Sequence, residues 1–208
     1  MSSMFSMASH SMAKKVVKVV LCGPPHSGKS CLREGLKQAL WPWYQAGQAP
    51  YPYVLTACPD GEGAWYAATA QRDPALAQQL KQPYKAEFTW EFAERKAKQI
   101  AQIDLPLTII DLGGKIDDKN RLIMAAATHA VILAADLERV SEWKILCAEL
   151  NLQIIALIHS DYDGTCDRIT TESPVLIGSV HHLERGQPNC DRPMIQALAT
   201  RLLSLCNP

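Results

Sequence analysis

Val16-Val17-Lys18-Val19-Val20-Leu21-Cys22-Gly23-Pro24-Pro25-His26-Ser27-Gly28-Lys29-Ser30 decides how this chain is read. Residues 16–22 are apolar at almost every position, as a strand covered on both faces should be. Gly23 and Gly28 let the backbone curl, and a helix follows, in which Leu32, Leu36 and Leu40 at i, i+4 and i+8 make a core stripe. A strand, a glycine loop and an amphipathic helix in this order bring the N–H groups of Ser27, Gly28, Lys29 and Ser30 together at a helix N-terminus, where they attract negative charge. Pro24 and Pro25 have no N–H to give, so the donors come from the later half of the loop.

On the C-terminal side, Trp41-Pro42 is expected to end the first helix, because the residue before a proline is pushed out of the helical region. A second strand is expected at 53–57, and Cys58-Pro59-Asp60-Gly61-Glu62-Gly63 after it reads as a loop. Helices are predicted over 74–80 and 89–102, the second with Phe92, Ala93, Ala97 and Ile100 on one face and Thr89 as its cap. Further strands are expected at 105–111, 130–134, 153–158 and 175–180. Val140, Trp143, Cys147 and Leu150 mark a helix between the fourth and fifth strands. A last helix starts near Asp191 and Pro193 and carries Ile195, Leu198, Ala199, Leu202 and Leu203 inward. This alternation implies an α/β fold of three αβα layers around a mainly parallel central sheet.

The 208 residues suffice for one such domain, expected over 14–208. Residues 1–13 read as a mobile tail, with neither the basic start nor the apolar run of a signal peptide or membrane anchor. With 48% apolar and 20% charged residues the composition is that of a folding chain. Lysine and arginine total 21 and aspartate and glutamate 21, with no long run of either sign, which argues against general nucleic-acid binding. Seven cysteines without C-x-x-C pairing read as reduced thiols of a cytoplasmic protein, and no membrane partner is implied.

The 23–30 stretch fits the Walker A pattern and resembles that of P-loop NTPases. In that class the lysine, here Lys29, meets the β- and γ-phosphates, and the Ser30 hydroxyl binds magnesium. The nucleotide-binding set is therefore Gly23, His26, Ser27, Gly28, Lys29 and Ser30, with Cys31 at the first helical turn. Leu107-Thr108-Ile109-Ile110-Asp111-Leu112-Gly113-Gly114 is an apolar strand ending in a carboxylate, as a Walker B element is, so Asp111 is the second candidate metal ligand. An aspartate that merely opens a turn after a buried strand would read the same way. Asp111-x-x-Gly114 has GTPase spacing, in which the glycine senses the γ-phosphate, and makes 113–121 a candidate switch loop. Lys115 stands where a Ras-like GTPase carries its water-orienting glutamine, and His159-Ser160-Asp161-Tyr162-Asp163-Gly164 holds no N-K-x-D guanine motif. ATP with Mg2+ is thus the expected ligand.

Asp60 and Glu62 follow the second strand, where many P-loop kinases carry a general base, although Asp60-Gly61 is equally turn chemistry. Trp65 and Tyr66 can stack on a base or pack a loop. Arg185 and Arg121 are candidate cations for a transferring phosphate, with surface arginine as the plain alternative. His181 and His182 are adjacent and lack a third ligand at metal spacing, so no zinc site is expected.

Together with the stretch at 23–30, Ala-Cys-Pro-Asp-Gly-Glu-Gly-Ala-Trp (57–65), the 105–115 strand, Thr-His-Ala-Val-Ile-Leu (128–133) and Leu-Glu-Arg-Gly (183–186) resemble the AAA-like P-loop domain fused, in some cyanobacterial proteins, to a CRISPR-associated ring nuclease that degrades cyclic oligoadenylate. The resemblance spans about residues 14–206. It implies an ATP-binding accessory module of type III CRISPR defence with a nuclease or other protein partner. Three readings follow: an ATP hydrolase, a kinase using Asp60 or Glu62 to activate a hydroxyl, and a nucleotide-dependent switch without catalysis.

Overall fold

Alternation along the first strand sets the layering, because successive side chains leave a strand on opposite faces. In the computed structural model, which describes residues 15–59, 69, 72, 73, 76 and 88–206, β1 (Val17–Cys22) is buried throughout. Val17, Val19 and Leu21 enter one core, while Val20 and Cys22 enter the other. The 1–13 tail, the 74–80 helix (save Leu76), Asp60, Glu62, Trp65 and Tyr66 lie outside the described residues.

The other elements follow as α1 (Lys29–Gln45), β2 (Tyr53–Thr56), α2 (Trp90–Gln102), β3 (Leu107–Asp111), α3 (Asp118–Met124), β4 (His129–Ala134), α4 (Val140–Glu149), β5 (Gln153–Asp161), β6 (Arg168–Thr171), β7 (Leu176–His181) and α5 (Pro193–Cys206). They build one seven-stranded sheet in the order β2-β3-β1-β4-β5-β7-β6. Every strand pair is parallel except β6 with β7. On one face α1 supplies Leu32, Leu36 and Leu40 and α5 supplies Ile195, Leu198 and Leu202. On the other, α2, α3 and α4 bring Ala93, Ile100, Ile123, Trp143 and Cys147. The expected three-layer α/β architecture with a mainly parallel sheet is present.

Three local expectations need correction. Pro42 does not end α1, which continues to Gln45. The turn beyond it closes through Ala46 N–H to Pro42 O at 3.0 Å, and the rings of Trp41, Tyr44 and Tyr51 pack on one another there. That packing offsets part of the cost of a proline inside a helix. Residues 113–121 are not all loop, because α3 begins at Asp118 once Asp117 Oδ1 accepts from Asn120 N–H at 2.8 Å. β6, four residues with mostly exposed side chains, is a seventh strand that no apolar run announces.

Parallel pairing lines up the strand ends that carry chemistry. Asp111 stands opposite Leu21 on β1 and Thr56 on β2, and His159 stands opposite Ala134. The chain order reverses at β1, which lies between β3 and β4, so the crevice beyond its carboxyl end is where an open α/β sheet takes ligands. Trp143, wholly buried on α4, is the largest fully buried side chain among the described residues. Replacing it by alanine is expected to lower unfolding free energy by about 3–5 kcal/mol, measured by urea denaturation.

Candidate functional site

At the end of β1 the backbone must leave the sheet against its neighbour. Gly23 does so with φ 136°, and a Cβ there would lie 1.9 Å from the Leu133 carbonyl oxygen on β4. Only glycine fits. The loop re-enters helix at Gly28, φ 81°, which precedes Lys29 without any side-chain cap and with no acidic residue in the first turn. The first amides of α1 are therefore left for an outside acceptor, and the helix dipole favours an anion there.

Lys29 is buried, and its ammonium donates to the carbonyls of Gly23 at 2.9 Å and Pro24 at 2.7 Å. The Ser27 hydroxyl also donates to Pro24 O, at 2.7 Å, so the loop is braced from within. Asp111, 1% exposed, ends β3 beside it. Burial pushes its carboxyl pKa above the ordinary value, while the Arg33 guanidinium, a hydrogen bond from Ser30 and the charges of Lys29 and Arg185 pull it back. Arg33 Nη1 lies 3.3 Å from Asp111 Oδ2 and donates to Thr56 Oγ1 at 3.1 Å. Ser30 and Asp111 thus present a hydroxyl and a carboxylate side by side, the hard oxygen donors that suit Mg2+.

These groups face a cavity of about 510 Å³ whose wall includes His26, Gly28, Lys29, Ser30, Cys31, Asp111, Gly114 and Arg185. Eight of the expected site residues are thereby brought together. Gly23 and Ser27 lie in the same loop but not on that wall. Burial raises the Cys31 thiol pKa, and the residue is a small part of the wall. Gly114 presses on the glycine loop, and a Cβ on it would come within 2.5 Å of Pro25 Cα and N. Arg121 points elsewhere: it pairs with Glu149 on α4 at 2.6 Å and is not on the cavity wall. His181 Nδ1 is held 2.6 Å from the carboxylate of Asp167, whose side chain is buried and also accepts the Met194 N–H at the start of α5.

Four further residues belong to the site with no motif to announce them. Arg33 shares a helix face with Lys29 and Ser30 at i+4 and i+3, a spacing that signals its presence in hindsight. Thr56 carried no signal beyond its place at a strand end. Asn120 is buried, lines the cavity and donates from Nδ2 to Lys115 O at 2.9 Å, fixing the chain just after Gly114. Tyr162, on the far wall, packs its ring on His182 at 4.6 Å and donates to Glu184.

In sequence the chain matches no family model and no curated protein. Among solved structures it is similar to the septum site-determining protein MinD of Pyrococcus horikoshii, complexed with Mg-ADP, with TM-score 0.58 and 10% identity over 92% of this chain and 98% of that one. It is also similar to a plasmid partition protein of Borrelia burgdorferi bound to AMPPNP, with TM-score 0.56 and 12% identity, again over 92% and 98% of the two chains. The fold is that of the P-loop NTPases. No helix among the described residues is long and apolar enough to cross a membrane.

The Gly114–Pro25 contact can be tested without any ligand. Gly114→Ala is expected to cost about 1–3 kcal/mol of stability by overpacking and to speed amide exchange at Lys115 and Asn120. Exchange rates equal to wild type would mean that the two loops do not brace each other.

Proposed function

We propose that this chain binds ATP with Mg2+ and hydrolyses it. The observation that carries the reading is the meeting of an uncapped helix N-terminus, the Lys29 ammonium and the Ser30–Asp111 pair on one cavity at the sheet's switch point. The two solved neighbours, one with Mg-ADP and one with AMPPNP, agree with it.

In this reading the backbone N–H groups from His26 to Cys31, with Gly23 making the turn, enclose the β-phosphate. Lys29 exchanges its two loop carbonyls for β- and γ-phosphate oxygens. Ser30 and Asp111 hold the metal, which when bound neutralises charge on the β- and γ-phosphates. Gly114 N–H meets the γ-phosphate, and Arg185 offsets the charge that develops in transfer. Among the described wall residues, the cations Lys29, Lys115 and Arg185 face only Asp111 and Asp117 as acids, so the cavity suits a polyanion.

A kinase reading has one observation in its favour. The cavity runs on past the glycine loop to Cys58, Pro59 and Phe88, and Asp60 and Glu62 follow Pro59 closely in the sequence. An acceptor hydroxyl would enter there, and either carboxylate would take its proton. The biological setting we propose, on the sequence resemblance alone, is a cytoplasmic accessory role in type III CRISPR defence alongside a ring nuclease or another protein partner.

Phosphate release from ATP, measured with and without Mg2+, tests hydrolysis directly. Lys29→Ala is expected to reduce it by about a hundredfold or more, as loss of a buried cation from a transition-state clamp does. Equal rates in the two proteins would remove the reading. Phosphate appearing on an added nucleoside or oligonucleotide instead of in solution would select the kinase.

A further inference from the structure

Arg33 holds the candidate metal ligand without being held well itself. Its Nη1 is shared between Thr56 Oγ1 at 3.1 Å and Asp111 Oδ2 at 3.3 Å, whereas a charge-assisted N–H···O bond normally closes to about 2.7–2.9 Å. Its Nε is buried and has no hydrogen-bond partner among the described residues. The guanidinium therefore lacks the forked, two-bond grip that makes an arginine–carboxylate pair permanent. Yet the pair is not dispensable, because Asp111 is 1% exposed and Arg33 is the foremost of the groups that offset the burial of its charge.

A loose cation on a carboxylate that needs one is a placeholder. We propose that Arg33 is the exchangeable counter-ion of Asp111: it balances the carboxylate until Mg2+ enters, then releases Oδ2 and keeps its hold on Thr56. This rests on the nucleotide reading above. The exchange breaks one ion pair and leaves Arg33 on the end of β2, one residue before the chain enters the segment beginning at Ala57. Charge drives it, since a divalent ion beside Ser30 and Asp111 repels a guanidinium on the same carboxylate. Arg33 so becomes a positioning residue that ties metal arrival to the strand end leading toward Cys58 and Pro59.

Two substitutions act on this exchange in opposite directions. Arg33→Met keeps much of the stem and removes the competing cation. Thr56→Val keeps the shape and removes the anchor to which the guanidinium retreats. Titration calorimetry with ADP, in Mg2+ and in a chelator, yields for each protein the factor by which the metal tightens nucleotide binding. That factor should rise about tenfold in Arg33→Met, within the usual range of coupling between sites, and fall severalfold in Thr56→Val. Thermal unfolding without ligand should show Arg33→Met less stable than wild type, and Mg-ADP should restore more of its midpoint than it adds to wild type.

An unchanged factor in both variants would overturn the proposal and leave a purely structural ion pair. A factor that falls in Arg33→Met would also overturn it, by showing that the guanidinium aids the metal. If Arg33→Met does not fold, Thr56→Val alone decides, and a factor equal to wild type sinks the idea. A wild-type protein that binds ADP neither with Mg2+ nor in the chelator would fail the nucleotide reading itself, an outcome distinct from the other three.

Discussion

A carboxylate is buried where a sheet has no room for an uncompensated charge, and the surroundings of Asp111 are organised by that constraint. It ends a strand covered on both faces, between β1 and β2. Burial favours its neutral form, but Arg33, Ser30, Lys29 and Arg185 all act to keep it ionised. Three of those four are contributed by the first turns of α1 or its immediate start, so the helix that offers amides to an anion also supplies the cations for the acid. One short stretch of chain thereby sets its amides and cations against the acid of β3 at a single cavity.

That stretch was legible because its logic is local. An apolar strand, two glycines and a helix with a leucine stripe lie within 25 residues, and each signals its own conformation. The apolar strands, the α4 stripe and the Thr89 cap were readable for the same reason. What escaped was long-range or peripheral. β6 is short and mostly exposed, so it lacks the apolar run by which the buried strands were recognised. The cap of α5 comes from Asp167, 27 residues away in sequence, not only from the Asp191–Pro193 region. Pro42 was read by backbone preference alone, and the aromatic packing that overrides it involves Tyr51, outside the helix. Within the site, Lys29, Ser30 and Asp111 carry motif signals, but Arg33 and Thr56 acquire meaning only once β2 lies beside β3.

The glycines show the same division between what is local and what is not. Gly28 needs its positive φ to turn into the helix, which the sequence pattern already demands. Gly114 has a different reason: its missing side chain is where Pro25 sits. The D-x-x-G stretch and the glycine loop are thus in van der Waals contact before any ligand is considered, and Asn120 fixes the following residue through Lys115 O. The contact at Pro25 and the hydrogen bond at Lys115 hold two adjacent residues of this loop. Of the stretch 113–121, only residues 113–117 lie outside helix, since Asp117 caps α3.

The other route out of the site runs across the sheet. Asp111 is joined to the end of β2 twice, by its side chain through Arg33 to Thr56 and by its backbone carbonyl, which accepts the Ala57 N–H at 2.8 Å. The backbone bond belongs to the parallel ladder and has no reason to respond to charge. The side-chain bridge does, because it is an electrostatic contact with an acid. A strand end held by one invariant and one charge-sensitive tether stays in register while its side-chain environment alters. That is the condition for a change of charge at Asp111 to reach the 57–59 end of the cavity without disturbing the sheet that carries both.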